Sequence, residues 1–184
     1  AAEREIIEEA YAGDIIGVFD PGIFSIGDTL CAPGKKFMFD PIPTFAPEHF
    51  CRVRPKDTLK RKQFIKGAEQ IAQEGAIQIF KIPYTGMEEV IVGVVGTLQF
   101  DVFQYRLKNE YNVELIMESL PYEYLRWIDE YDGDPEDIIK GNDVKLVEDY
   151  KGNKLLLFGA LWSINWVLDK NKSLKLSEFG GAKF

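Results

Sequence analysis

Residues 94–119, VVGTLQFDVFQYRLKNEYNVELIMES, constrain the fold more than any other part of this chain. Large side chains recur there at the spacing of one helical face, at Phe100, Phe103, Leu107 and Tyr111. Thr97 is the predicted N-cap, because its hydroxyl can accept an amide hydrogen bond of the first turn. Asn112 tolerates the left-handed conformation that ends a helix. Residues 113–116 then read as a strand, so the stretch predicts a strand, a covering helix and a returning strand.

The preceding residues supply the rest of a β-α-β-β-α-β unit, the ferredoxin-like arrangement, over residues 45–120. A strand precedes Asp57, which is the predicted N-cap of a helix over 58–74. The inward face of that helix is formed by apolar residues, namely Phe64, Ile65, Ala68, Ile71 and Ala72. Gly75 ends the helix, because glycine adopts the left-handed conformation without strain. Residues 76–82 alternate as a strand and lead back to the first stretch.

Residues 1–44 show short apolar runs separated by turn residues. Residues 5–19 read as two strands broken at Gly13-Asp14, and residues 24–30 repeat the pattern with a turn at Gly27-Asp28. Such short strands predict part of an antiparallel β-barrel. They are too few to close one, so we expect an exposed apolar face or unpaired strand edges.

Residues 121–184 predict a second set of strands and helices. The strands are expected over 123–130, 144–147, 155–158 and 174–179, and the helices over 135–140 and 161–168. The inward residues of the last helix are predicted to be Leu161, Ile164 and Leu168, with Trp162 and Trp166 widening this face. The order is again β-α-β-β-α-β, which fits either an internal duplication or one larger α/β domain sharing a sheet. No Gly/Ser/Pro-rich linker separates the two sets, which favours the shared sheet.

Three motifs carry a resemblance to translational GTPases. Residues 43–81, PTFAPEHFCRVRPKDTLKRKQFIKGAEQIAQEGAIQIFK, and residues 95–114, VGTLQFDVFQYRLKNEYNVE, resemble the third domain of the bacterial class II peptide chain release factors. The pair A-G-D-I at 12–15 and G-D-T-L at 27–30 is similar to later strands of the β-barrel second domain that translational GTPases share. A shorter echo, Gly96-x-Leu98-x-Phe100, is also found in elongation factor G.

The resemblance implies an α+β chain made of two parts. Residues 1–44 would be a partial antiparallel β-barrel from domain two, and residues 45–184 would be domain three. Within domain three, residues 45–120 would form the ferredoxin-like core and residues 121–184 an α/β extension. The chain begins with alanine, and we expect it to be a piece of a longer protein.

The resemblance also implies a function. The full-length protein would be a cytoplasmic, ribosome-dependent GTPase that uses GTP or GDP with Mg and promotes departure of class I release factors after peptide release. This chain would be its docking and conformational-relay module, without an active site of its own. The implied partners are ribosomal RNA and ribosomal protein, with class I release factors reached indirectly, and neither DNA nor membrane.

Seven cations lie within residues 52–66 of a chain whose formal net charge is −8. They are Arg52, Arg54, Lys56, Lys60, Arg61, Lys62 and Lys66. A cluster of this kind is either a solvated helix face or a docking surface for RNA phosphate or an acidic partner. The resemblance favours the docking surface, so these residues are the candidate ribosome contacts.

Other sites are not supported by the sequence. It contains no G-x-x-x-x-G-K-[ST] phosphate-binding motif, so a GTP site of the parent protein would lie upstream. His49 and Cys51 offer two metal ligands, fewer than a zinc site needs. The acidic run Asp129, Glu130, Asp132 and Asp134 lacks the glycine and terminal glutamate of a calcium loop. We therefore predict no catalytic, cofactor-binding or metal-binding residue in this chain.

Three other functions are open. The chain could be a fragment of an elongation factor G relative, although that protein would need a further domain after residue 184. It could also be a free-standing ferredoxin-like module that senses a small ligand. An acylphosphatase-type enzyme is the third alternative, but the helix-opening phosphate loop that its chemistry needs is missing.

Overall fold

A computed structural model of the chain describes residues 6–24, 26–39, 45–83 and 89–179. In these ranges the fold is α+β, with eight strands in a single antiparallel sheet and three α-helices. The strands are β1 (His49–Pro55), β2 (Gln78–Lys81), β3 (Val90–Val94), β4 (Leu115–Leu120), β5 (Tyr124–Glu130), β6 (Val144–Asp149), β7 (Lys154–Phe158) and β8 (Lys175–Ser177). The helices are α1 (Arg61–Gln73), α2 (Leu98–Tyr111) and α3 (Leu161–Lys170). None of the helices in the described ranges is long and apolar enough to cross a membrane.

The sheet consists of two halves that have the same strand order when each is read from its outer edge towards the middle. Its full order is β4-β1-β3-β2-β6-β7-β5-β8, and every pairing is antiparallel. Strands β1–β4 with α1 and α2 form the first half, and strands β5–β8 with α3 form the second half. They meet at a seam between β2 and β6, where Phe80 lies opposite Asp149 and Lys81 opposite Glu148. One sheet is therefore shared by residues 45–120 and 121–179.

This sheet folds back on itself around a core between the two halves. This core, which we call the inner core, consists of the buried residues Phe50, Phe80, Ile91, Leu125, Trp127, Val147, Leu155 and Leu157. Strands β4 and β5 lie six places apart in the sheet order, which would be about 29 Å in a flat sheet. Only residues 121–123 join them, too few to span that distance, so the two halves face each other.

The helices cover the outer faces of the two halves. Phe64 and Ala68 of α1 and Phe103 and Leu107 of α2 are buried with the outer-facing residues of β1, β2 and β3. Helix α3 buries a smaller cluster against β6 and β7. The result is a four-layer arrangement, with helices outside and the inner core between the sheet halves.

Several local predictions are confirmed. Asp57 accepts a 2.9 Å hydrogen bond from Leu59 N, although the first turn, Thr58–Lys60, is a 3₁₀ turn. Gly75 and Asn112 end the first two helices with φ of +78° and +55°. Of the predicted stripe on α2, Phe103 and Leu107 are buried, and Phe100 and Tyr111 pack against the same core.

Thr97 occupies the predicted N-cap position of α2, but the predicted capping hydrogen bond is absent. Thr97 lies in the helical region and its side chain makes no cap hydrogen bond. Gln99 instead stabilises the turn before the helix, because its Oε1 accepts hydrogen bonds of 3.0 Å from both Val95 N and Gly96 N. Its amide also donates to Ala76 O at 2.8 Å, which ties the start of α2 to the segment after α1.

The predicted inward face of α3 is confirmed only in part. Ile164 is buried and Leu168 packs against the same cluster, as predicted, but Leu161 does not. Leu161 is 56% exposed and Trp162 is 64% exposed, whereas Ser163, Ile164 and Val167 are buried. A buried serine is tolerated because its hydroxyl donates a hydrogen bond to Asp143. The helix is therefore rotated relative to the prediction, and its tryptophans lie at the surface.

The helix predicted over 135–140 is a single 3₁₀ turn, Pro135–Asp137, in the structure. Asp134 caps this turn, accepting a hydrogen bond from Glu136 N at 3.0 Å. The helix does not continue because Asn171 bonds both the amide and the carbonyl of Ile139. These backbone groups are then unavailable for helical hydrogen bonds.

The strands predicted over 5–19 and 24–30 do not form in the described residues 6–24 and 26–39. The predicted turns are present, because Gly13 and Gly27 adopt φ of +102° and +93°. The segments between them hold no ladder and leave large apolar side chains such as Ile15 and Phe19 exposed. A strand needs a neighbour for its backbone hydrogen bonds, and these short segments find none among the described residues.

Candidate nucleic-acid interface

The structure divides the seven predicted contact residues between two sides of the sheet. On β1, Cys51 and Val53 pack under the helices, and Phe50 points into the inner core. Because side chains alternate along a strand, Arg52 and Arg54 share the face of Phe50. Helix α1 lies on the opposite face and carries Arg61, Lys62 and Lys66. The seven cations therefore do not form one patch.

Arg52 is neutralised by two carboxylates. Its Nε lies 3.3 Å from Glu89 Oε1, a Coulombic contact without hydrogen-bond geometry, and its Nη1 lies 3.4 Å from Glu118 Oε2. Glu118 is directly opposite Arg52 in the β1–β4 register. With only 34% of its side chain exposed, Arg52 is a structural cation that balances a cross-strand pair. Arg54 is exposed and forms no ion pair with a described residue.

The remaining five cations meet at one end of the first half, where β1 ends, α1 begins and α2 ends. Lys56 N donates a 2.8 Å hydrogen bond to Glu114 O, which holds the end of β1 beside the residue before β4. The Asp57 carboxylate is engaged by the backbone of the 3₁₀ turn that leads into α1. The carboxylate of Asp57, the acidic residue within this run of cations, is therefore already engaged by a capping hydrogen bond.

Glu114 links this end to a cation that the sequence analysis missed. Its carboxylate lies 3.5 Å from Lys56 Nζ and 3.7 Å from Lys108 Nζ. Lys108 belongs to the last turn of α2 and reaches Lys56 through the shared Glu114 carboxylate. We define the basic surface as Lys56, Lys60, Arg61, Lys62, Lys66 and Lys108. Lys108 could have been singled out from the sequence by its position in the last turn of a predicted helix, where cations complement the helix dipole.

Three lysines of the basic surface are not neutralised within the described part of the chain. Lys60 is partly exposed, Lys62 and Lys66 are exposed, and none of them forms an ion pair with a described residue. Lys62 and Lys66 are four residues apart, so they share one side of α1, away from buried Phe64. These lysines are free to meet phosphate oxygens or carboxylates of a partner.

The other residues considered in the sequence form no chemical site. His49 is exposed, whereas Cys51 is buried, and burial raises the pKa of the Cys51 thiol. The acidic run is dispersed among separate partners, because Asp129 accepts from Ser177 and Asp132 from Ser173. Across the described ranges, no three His, Cys, Asp or Glu side chains are grouped so that they could hold a metal ion.

Comparison with known proteins identifies the family to which the chain belongs. Residues 39–168 match the family described as class II release factor RF3, C-terminal domain. The chain is 51% identical over 174 residues to peptide chain release factor 3 of Symbiobacterium thermophilum. It is 44% identical over 176 residues to the protein of that name from Macrococcus caseolyticus, and 45% identical over 177 residues to that from Listeria monocytogenes.

These alignments cover 95–96% of this chain and 33% of each relative. The chain therefore spans about one third of the length of these relatives. The family match extends over most of the described sheet and includes the whole basic surface. The chain belongs to the class II release factor family, and its residues 39–168 correspond to the C-terminal domain of that family.

Proposed function

We propose that this chain is the ribosome-docking part of a ribosome-dependent GTPase that acts in translation termination. The observation that carries the proposal is the group of un-neutralised lysines, Lys60, Lys62 and Lys66, on a domain of the class II release factor family. Ribosomal RNA presents a dense array of phosphates, and such contacts form by release of counterions around exposed cations. The basic surface would therefore meet ribosomal RNA, or ribosomal protein beside it.

In this proposal the chain performs no chemistry of its own. The full-length protein promotes departure of class I release factors after peptide release, in the cytoplasm. The docking domain transmits ribosome contact to the rest of the protein, so class I release factors are reached indirectly. The shared sheet supports such a relay, because the basic surface and the second half belong to one hydrogen-bonded unit.

GTP or GDP with Mg would be handled by a part of the relatives that this chain does not span. The residues present here do not fit that role. The sequence lacks the G-x-x-x-x-G-K-[ST] motif that cradles nucleotide phosphates. The described residues offer no cluster of three metal-binding side chains. We therefore assign no nucleotide or magnesium contact to this chain.

We also propose the domain assignment. Residues 45–120 are a ferredoxin-like core, supported by the order β-α-β-β-α-β with strands arranged β4-β1-β3-β2. Residues 121–184 are an α/β extension that continues the same sheet. Residues 1–44 are the trailing part of a β-barrel, whose strands form when neighbouring strands complete the ladder. The turns at Gly13 and Gly27 support this last assignment.

Co-sedimentation with purified 70S ribosomes over a salt series tests the proposed function. The wild-type chain should pellet with ribosomes at low salt and dissociate as salt rises. Charge reversal at Lys60, Arg61 and Lys62 to Glu should weaken binding roughly tenfold or more at low salt. Unchanged affinity of this variant across the series, or no wild-type binding at any salt, would show that the proposal is wrong.

A further inference from the structure

A groove of about 670 Å³ lies between the start of α2 and the connection from β4 to β5. Its lining includes Phe100, Asp101, Leu120, Tyr122, Glu123 and Gly159. Phe100 and Leu120 are partly buried hydrophobic residues that pack against the two different cores. The groove therefore has an apolar floor where the first half of the fold meets the second.

Large apolar side chains are exposed at positions that lie near groove-lining residues in sequence. Leu98, which follows the groove-lining Thr97, is 71% exposed. Leu161 and Trp162 come within three residues of the groove-lining Gly159 and are also mostly exposed. Concentrated apolar exposure is uncommon on a monomer outside interaction sites, and tryptophan is enriched where binding energy is concentrated.

The charge of the groove is opposite to that of the basic surface. Asp101 and Glu123 are exposed, and neither carboxylate forms an ion pair with a described residue. Asp101 lies in the first turn of α2, whereas Lys108 lies in its last turn. These two residues are about 10 Å apart along the helix axis. On the strand side, groove-lining His49 and Lys56 of the basic surface are about 23 Å apart along the chain of β1. The groove is thus separate from the proposed RNA contact.

We propose that this groove binds a polypeptide segment that carries both apolar and basic side chains. The apolar side chains would pack on Phe100 and Leu120, and the cations would pair with Asp101 and Glu123. Carboxylates in the walls disfavour RNA phosphate, because like charges would be brought together in a partly desolvated groove. A membrane surface is disfavoured for a related reason, since membrane-binding apolar faces are flanked by cations.

Fluorescence polarisation with the 184-residue chain tests this inference. The probe is a short fluorescein-labelled peptide of alternating leucine and lysine. A leucine–glutamate peptide of the same length and a short single-stranded RNA serve as comparison probes. The test variant is Asp101→Asn with Glu123→Gln, and the matched control is Glu136→Gln with Asp137→Asn, which removes the same charge from an exposed turn of the second half.

The leucine–lysine peptide should bind the wild-type chain more tightly than the leucine–glutamate peptide. Its affinity should fall roughly five- to tenfold in the groove variant and stay near wild type in the matched control. A second variant, Leu98→Ser with Leu161→Ser, should weaken the same peptide without changing net charge. Circular dichroism confirms that each variant is folded.

Three results would overturn the inference. The first is equal loss of peptide affinity in the groove variant and the matched control, which would mean binding by overall charge. The second is equal binding of the lysine and glutamate peptides, and the third is RNA binding that the groove variant weakens. All three are independent of ribosome co-sedimentation, so failure here is distinguishable from failure of the proposed function.

Discussion

Glu148 on β6 lies directly opposite Lys81 on β2, with Glu148 Oε1 3.1 Å from Lys81 Nζ. This pair bridges the seam at which the two halves of the sheet meet. Lys154 of β7 also pairs with Glu148, so one carboxylate is held by two cations from the two halves. Hydrogen bonds from Lys154 and Lys81 hold the pKa of Glu148 below its ordinary value of 4.5.

The first prediction concerns Glu148→Gln. A carboxyl whose pKa is depressed by folding stabilises the fold above its ordinary pKa, and this stabilisation is lost as pH falls through the folded-state pKa. We expect the variant to be less stable than wild type at pH 7 by about 1–2 kcal/mol. The difference should shrink as pH is lowered from about 4.5, and urea unfolding at several pH values measures it.

The control for this prediction is Glu136→Gln, which removes a carboxylate from an exposed turn. Its stability should follow that of wild type across the same pH range. A stability difference for Glu148→Gln that stayed constant down to pH 2 would contradict the assigned role of the seam pair.

The second prediction concerns the contact between α1 and α2. A Cβ added at Gly67 would lie 2.8 Å from Tyr111 Cγ and Cδ2, which is too close for unbonded carbons. Alanine favours helix by about 1 kcal/mol over glycine. We nevertheless expect Gly67→Ala to destabilise the fold by about 1–3 kcal/mol, because the overpacked ring must move. Urea unfolding of the variant measures this directly.

A double-mutant cycle separates the steric effect from other causes. In a Tyr111→Ala background, Gly67→Ala should be neutral or stabilising, because the obstructing ring is gone. Tyr111→Phe should not relieve the effect, since it removes only the hydroxyl that donates to Gln70 Oε1 at 2.6 Å. Equal destabilisation by Gly67→Ala in all three backgrounds would show that the close approach does not matter.

The third prediction concerns Glu114, the carboxylate between Lys56 and Lys108. Glu114→Gln should free both lysines and remove a charge that repels phosphate. We expect ribosome affinity at low salt to rise roughly threefold, the opposite direction from the lysine variants. Glu136→Gln in the second half should leave the affinity unchanged. A fall in affinity for Glu114→Gln would mean that Glu114 positions the two lysines for binding.

Features set by neighbours in sequence could be predicted before the structure was known. The inward stripe of α2 follows from helical spacing alone, and the end at Asn112 follows from its tolerance of positive φ. The Asp57 cap is similarly local. In each case the prediction needs only residues that lie close together in sequence, so the sequence alone is enough to make it.

Features that depend on distant partners could not be predicted in this way. Arg52 is neutralised by Glu118, 66 residues away, because the two are paired across β1 and β4. The rotation of α3 accompanies a hydrogen bond between Ser163 and Asp143, which lies 20 residues away in the turn before β6. The described residues 6–24 and 26–39 show the same limit, since strand-like sequence there forms no ladder without neighbouring strands.

The salt dependence of ribosome binding by a Lys60→Ala, Lys62→Ala, Lys66→Ala triple variant tests the central claim most directly. The matched control replaces three exposed lysines of the second half, Lys151, Lys170 and Lys172, with alanine. The proposed function predicts that only the first variant lowers the slope of log affinity against log salt, by about 2 to 3. Equal slopes for wild type and both variants would contradict the claim that this basic surface docks the chain on the ribosome.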